Sequence, residues 1–276
     1  MTKVYLDNNA TTQVDPEVVE EMQPCFRELY ANPSGNYSSS KQVGEMLSQA
    51  RERVAKGLDC DPEEIVFTSC GTEGNNAAIS AAVNSRPEKS HVLTTCVEHP
   101  AVLNYCKYLE SKGYRITYLE VDKEGNLDLK ELQNSLSSDT AVVSIMYANN
   151  ETGVIFPINQ IAQIVKEKQI LLHTDAVQAV GKVPISLQEL DVDYLTLSGH
   201  KLHAPKGVGA LFVRKNAPFS PYIIGGSQEK GRRGGTENTA FIVALGKAIE
   251  LAVKNQEKDY RDIKYLRDYL EDSILQ

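Results

Sequence analysis

Lys201 closes the tetrapeptide Ser198-Gly199-His200-Lys201, and the acid Asp175 stands 26 positions before it. A lysine amine can condense with an aldehyde, and a carboxylate is the natural partner of a protonated ring nitrogen. Four further sites carry polar chemistry: Gly71-Thr72, Glu98-His99-Pro100, Asn149-Asn150-Glu151 and Gln178. A glycine and threonine entering a helix offer free amides and a hydroxyl to an anion, with the helix dipole favouring negative charge. The same turn also makes an ordinary helix start, and it is neither a Walker loop nor a GxGxxG. Taken singly, Asp175 reads as a cap, Lys201 as a solvated lysine and His99 as a loop histidine. His91, His173 and His203 read as structural, and their scatter has no metal-ligand spacing.

The elements that must position these groups emerge from patterning. Asp15-Pro16 predicts a helix to about Leu29, with Asp15 as cap. Asn32 to Tyr37 and the three serines after it read as a loop. Val43, Met46, Leu47, Ala50 and Val54 predict a helix from Lys41 that stops at Gly57. Strands are predicted at Ile65–Thr68, His91–Thr94, Arg115–Leu119, Ala141–Met146, Leu171–Thr174, Tyr194–Leu197 and Gly209–Val213. Helices fall at Gly71–Val83, Pro100–Lys112 and Ile158–Lys168, after a capping-box start at Asp128 and Glu131, and again from about Glu237 onward. Ile263, Leu266 and Leu270 share one face of the last helix. This alternation predicts an α/β fold of three layers, α/β/α, with a mainly parallel sheet covered on both faces.

In such sheets ligands bind at the carboxyl ends of the strands. The residues just past five of the strands are Gly71-Thr72, Glu98-His99, Asn149-Asn150, Asp175 with Gln178, and Ser198 to Lys201. One rim therefore receives a phosphate-sized turn, two histidines, an asparagine, a carboxylate and a lysine. These are the groups that a pyridoxal 5'-phosphate site requires: a lysine for the aldehyde, a carboxylate for the pyridine nitrogen, a flat ring to cover it and a helix end for the phosphate.

Composition narrows the class. The 276 residues carry 29 Lys+Arg against 37 Asp+Glu, a net charge of −8, and 41% are hydrophobic, as in a soluble globular protein. An acidic chain without a basic cluster argues against nucleic acid. No apolar run reaches the roughly 20 residues that span a bilayer, and no secretory signal opens the chain. The five cysteines, Cys25, Cys60, Cys70, Cys96 and Cys106, are widely spaced without a CxxC, so they read as reduced thiols filling apolar space in a cytoplasmic protein.

Leu6 to Thr12 (LDNNATT), Glu98-His99-Pro100, Ala148 to Gly153 (ANNETG), His173 to Gln178 (HTDAVQ), Ser198 to Lys201 (SGHK) and Gly231 to Thr236 (GRRGGT) resemble cysteine desulfurases of the NifS/IscS type. These are fold-type I pyridoxal-phosphate enzymes within the class V aminotransferases. The resemblance runs from about Val4 to beyond Asn255. It implies a large cofactor-binding domain over 16–256, preceded by a segment 1–15 and followed at 257–276 by the start of a small domain. By resemblance, Lys201 holds the cofactor, Asp175 pairs with its ring nitrogen, and His99 stacks on the ring and moves protons. Gln178 meets its phenolic oxygen, and Asn150 lies beside it near the substrate. Gly71, Thr72, Ser198 and His200 hold the phosphate, joined by Thr236 from the partner of a homodimer.

The implied reaction takes sulfur from L-cysteine, leaving L-alanine and an enzyme persulfide for an iron–sulfur scaffold protein, in the service of nitrogen fixation. In the family the sulfur-accepting cysteine and the arginine that clamps the substrate carboxylate lie beyond the part matched here. The expectation is that this chain binds cofactor but makes little persulfide alone, with Cys96 structural rather than a substitute. Asn36-Tyr37 stands where relatives have Leu-His, which removes a rim histidine. Gly74 stands where they have serine, which is expected to cost a hydroxyl near the phosphate turn. Two readings stay open beside the desulfurase: a selenocysteine lyase or other class V aminotransferase, and a non-catalytic dimerisation or scaffold-binding module.

Overall fold

A computed structural model describes residues 4–275; residues 1–3 of the expected N-terminal segment and residue 276 lie outside the described residues. Helix α1 (Pro16–Met22) starts where expected, with Asp15 Oδ1 accepting from the Glu17 N–H at 2.8 Å. It ends at Met22, about two turns before Leu29, and gives way to a 3₁₀ turn at Gln23–Phe26. Pro24 has no N–H to continue the ladder and restricts Gln23 before it. Helix α2 (Ser38–Leu58) begins earlier than Lys41, and the serines expected in a loop form its first turn. Ser40 anchors that turn by donating to the Asn32 carbonyl at 2.6 Å. The stop is Asp59, in the left-handed region at φ 55°, and not Gly57. Gly57 is instead a packing residue, because a Cβ there would come within 2.9 Å of Ile249.

The remaining elements are β1 (Ile65–Thr68), α3 (Gly71–Asn84), β2 (His91–Thr95), α4 (Pro100–Ser111), β3 (Arg115–Leu119), α5 (Leu129–Ser135), β4 (Thr140–Ser144), α6 (Ile158–Glu167), β5 (Leu171–Asp175), β6 (Tyr194–Ser198), β7 (Gly209–Val213) and α7 (Thr239–Leu275). The Asp128 carboxyl caps α5 by accepting from Lys130 and Glu131 N–H groups. The strands form one sheet in the order β1-β7-β6-β5-β4-β2-β3, parallel except that β7 runs against both its neighbours. The strand ends at Ser144, two residues before the expected Met146, and Ile145 to Tyr147 continue beside β5 toward the site, with the Ile145 and Tyr147 N–H groups still donating to β5 carbonyls.

Two apolar clusters cover the sheet. Ala78, Ile79, Ala82, Val102 and Cys106 of α3 and α4 pack on one face. Val54, Leu58, Ile161, Val165, Leu245 and Ile249 of α2, α6 and α7 pack on the other. All strands except β3 are buried throughout, which is why they read as continuous apolar runs and not as alternating ones. β2 leads outward to β3 while β4 leads the other way to β5, so their carboxyl ends diverge and leave a crevice. Helix α7 runs unbroken past residues 256 and 257. Its buried residues end at Leu251, and Ile263, Leu266 and Leu270 are exposed.

The α2–α7 contact closes that layer, and Gly246 sets its depth: a Cβ there would lie 2.7 Å from Ala50 Cα and 3.0 Å from its carbonyl oxygen. Gly246→Ala is therefore expected to lower stability by about 1–3 kcal/mol, overriding the ~1 kcal/mol gain in helix propensity. Gly44→Ala, where no atom lies within 4 Å, should instead raise it by up to ~1 kcal/mol. Urea unfolding of the two variants checks the opposite signs.

Candidate active site

A cavity of about 560 Å³ opens at the carboxyl ends of β2, β4, β5 and β6, against the N-terminus of α3. Lys201, His99, Gly71, Thr72, Asn150, Asp175, Gln178, Ser198 and His200 all line it. Thr236 does not; it borders a separate cavity of about 220 Å³ with Ser69, Glu229 and Arg233.

Asp175 ends β5 and is only 5% exposed. Its Oδ2 accepts from Asn75 Nδ2 at 2.6 Å and its Oδ1 from the Val177 N–H at 3.0 Å. Burial pushes the carboxyl above its ordinary value, while these two donors, His99 and Lys201 pull it back toward the ionised form. Asn75 was not foreseen from the sequence. Its signal was there in the helical period, because it stands one turn after Gly71 on the face that meets the strand ends.

Lys201 sits in the turn Gly199–Lys201 after β6, which is pinned by the Gly199 N–H donating to the Val208 carbonyl at 2.9 Å. The Lys201 amine donates to the carbonyls of Asn9 and Ala10, the second at 3.0 Å. Burial pulls this amine below its ordinary value, against the opposing pull of Asp7 and Asp175. Residues 7–12 cross the cavity mouth and are tied down by two bonds from Thr12, through its N–H and its hydroxyl, to the His200 carbonyl. Gln178 donates to the carbonyl of Asn9, which also lines the cavity, at 2.9 Å, and its Oε1 accepts from Lys182.

His99 caps α4, its Nδ1 accepting from the Ala101 N–H at 3.1 Å. With that lone pair engaged, the proton of the neutral ring belongs on Nε2. The Asn149 amide braces the next strand end: Nδ2 donates to the Val97 carbonyl, and Oδ1 accepts from the Glu151 and Thr152 N–H groups. Asn150 is thereby held at the rim.

At the α3 N-terminus Cys70 makes no side-chain cap. The Ser198 hydroxyl beside it is buried with no partner among the described residues. A Cβ on Gly71 would come within 2.8 Å of Val177, so the helix end lies too close to the strand ends for any other residue. Glu73 turns away and pairs with Arg233 at 2.9 Å. The free amides and the unpaired hydroxyl fit an anionic group such as phosphate. The expected loss at Gly74 does not hold: a Cβ there points at Thr196, 2.7 Å away, so a serine side chain would aim into the sheet and not at the turn.

Cysteines divide by position. Cys25 and Cys106 are buried as expected, and burial pushes the Cys60 and Cys106 thiols up to about 12. The Cys96 thiol donates to Glu120 at 3.3 Å and is raised by burial and by that carboxylate, which leaves it a poor nucleophile. Cys70 departs from the apolar-filler reading, because it lines the cavity. Among the described residues no group of three His, Cys, Asp or Glu side chains is placed to hold a metal ion, and no helix is long and apolar enough to cross a membrane.

Residues 4–276 match the aminotransferase class-V family. The chain belongs to that family. It is 56% identical over 275 residues to a cysteine desulfurase of Trichormus azollae and 52% identical over 276 to the cysteine desulfurase NifS of Azotobacter vinelandii, spanning 100% of this chain and 69% of each relative. Among solved structures, a NifS-like protein superposes with a TM-score of 0.97 at 43% identity, covering 99% of this chain and 76% of that one. SspA in complex with cysteine gives 0.88 at 40% identity, covering 90% and 72%. Pyridoxal phosphate is the cofactor of these homologues, and the cavity suits it. Its volume falls in the range of small-molecule sites, with an amine, a buried carboxylate and an anion-binding helix end on its walls.

Because Asn75 donates to the charged form of Asp175, Asn75→Ala should move the Asp175 titration upward in pH, which carbon-13 carboxyl NMR of the apoprotein can follow. A midpoint that stays in place would show that the Val177 amide alone holds the charge.

Proposed function

We propose that this chain binds pyridoxal 5'-phosphate through Lys201 and acts as a cysteine desulfurase. In the net reaction the C–S bond of L-cysteine breaks, Cβ gains a proton to give L-alanine, and the sulfur forms an S–S bond with an acceptor thiol. The observation that carries the reading is the gathering of Lys201, Asp175 and His99 in one cavity with an empty-capped helix N-terminus. A binding module without catalysis has no use for a buried carboxylate there. The cysteine complex of the structural relative SspA favours cysteine over other amino donors.

When bound, the cofactor supplies an electron-accepting ring next to the substrate α-carbon. The residues do the rest. Lys201 would present the amine to the aldehyde, and its lowered proton affinity raises the share of the neutral, nucleophilic form. Asp175 would pair with the ring nitrogen and hold it protonated, with Asn75 and Val177 donating to its charged form against the upward push of burial. His99 covers the ring and moves a proton at Nε2, since Nδ1 is engaged by the backbone. Gln178 offers its amide nitrogen to the phenolic oxygen, and Asn150 lies beside the substrate. Gly71, Thr72, Ser198 and His200 hold the phosphate.

The finer assignments are supported by resemblance and placement. Thr236 stands away from its own chain's cavity, as suits a residue that serves the partner subunit of a homodimer. Residues 16–256 form the cofactor-binding domain, and the exposed apolar face of α7 beyond them suits the start of a further one. The persulfide goes to an iron–sulfur scaffold protein in the cytoplasm, and the likeness to the NifS of Azotobacter vinelandii supports service to nitrogen fixation.

Borohydride reduction of the cofactor-loaded protein followed by peptide mapping should place the adduct on Lys201, and Lys201→Ala should lose both adduct and visible absorbance. An adduct on any other residue sinks the assignment. With an added thiol as sulfur acceptor, His99→Gln should retain cofactor but lower kcat for alanine formation by roughly 10²–10⁴-fold, the usual contribution of a positioned proton carrier.

A further inference from the structure

Where β2 and β4 diverge, the chain past β4 runs on beside β5 without β2 on its other side. The N–H groups of Ile145 and Tyr147 donate to the His173 and Asp175 carbonyls of β5, at 3.1 and 2.8 Å. The Met146 N–H between them points the other way, toward the side that β2 left at Thr95. Its acceptor is a side chain, Glu98 Oε1, at 2.9 Å. The same oxygen accepts from the Thr95 hydroxyl at 2.8 Å. One carboxyl group thus stands in for the strand carbonyl that β2 no longer supplies. It spans the crevice from the turn that carries His99 to the extension that carries Met146, and both residues line the cavity.

The two bonds to Oε1 favour the charged form of Glu98, but burial outweighs them and its described surroundings bring no positive charge to it. The side chain is 4% exposed, and Oε2 is buried with no partner among the described residues. Thr95 from β2 and Met146 from β4 are neutral. The thiol of Cys106 lies beside it from α4, the His99 ring is turned to the Ala101 N–H, and the charge that faces it from β5 is the like charge of Asp175. Burial, reinforced by Asp175, pushes Glu98 up to about 8. A neutral acid keeps both accepted bonds without a second buried negative charge next to the one the cofactor needs.

We propose that Glu98 is a positioning residue of the cofactor cavity that serves as a neutral acid, bracing the His99 turn against the end of β4. The inference rests on the reading that the cavity holds pyridoxal phosphate. It is tested by Glu98→Gln and Glu98→Ala in the full chain, through cofactor dissociation constants and melting temperatures of the apo and loaded proteins from pH 5 to 9.

The amide oxygen of Gln can accept the same two bonds, so Glu98→Gln should bind pyridoxal phosphate within about twofold of wild type, whereas Glu98→Ala should weaken it by about tenfold or more. A folded carboxyl that keeps its proton to about 8, while the unfolded one loses it near 4.5, makes wild-type stability fall as pH rises through that window. The Gln variant has no such proton to lose, so its melting temperature should fall less than that of wild type over the same range. Tenfold weaker binding by Gln, a melting profile parallel to wild type, or unchanged binding by Ala would each overturn the proposal. If Ala does not fold, the two Gln measurements decide. A wild-type chain that takes up no cofactor would sink the cofactor reading, while the apo melting comparison still judges the protonation of Glu98.

Discussion

A carboxylate buried as deeply as Asp175 is unfavourable unless donors hold it, and satisfying it organises the whole cavity. One donor is the backbone just past β5 and the other is Asn75 in the second turn of α3. For Asn75 to reach, α3 must lie hard against the strand ends. That is why Gly71 has no room for a side chain beside Val177 and Gly74 none beside Thr196. The constraint that gives a buried acid its donors therefore also brings the amide end of α3 to the same cavity. An anion site and a site for a protonated heterocycle are built as one rigid unit.

The second organising feature is the divergence of β2 and β4. Every adjacent parallel pair ends on the same edge, but here the chain leaves in opposite directions, and the backbone groups between them lose their partners. Side chains take over: Glu98 accepts from Met146, and Asn149 donates to Val97. The crevice stays open because polar side chains, and not a continued ladder, hold its walls. On the far side, residues 7–12 cross the mouth and meet Lys201 and Gln178 through backbone carbonyls. Access to the amine thus depends on a segment far away in sequence.

Much of this was legible from residue order. Parallel strands all end on one edge, so the residues just past each strand had to collect there, and nine of the ten residues expected at the cofactor do line the cavity. Thr236 was expected to act across subunits, and within its own chain it stands apart. The errors were local or long-range in identifiable ways. Pro24 cut α1 short, and Asp59 rather than Gly57 ended α2, because Gly57 is required by the approach of Ile249. Gly74 looked like a lost hydroxyl only because its direction, into β6, depends on how α3 is seated.

By itself the sequence determined the layers, the strand edge that gathers polar groups, and the types of group delivered there, since hydrophobic runs and helix caps act over short spans of chain. It also carried the family likeness in its motifs. Only the tertiary structure decided which groups share charge and protons: that Asn75 donates to Asp175, that His99 has Nδ1 engaged by the backbone, and that Glu98 replaces a missing strand carbonyl. Those outcomes depend on burial and on directions set by segments up to about 190 residues apart, as between Lys201 and Ala10, and no local pattern encodes them.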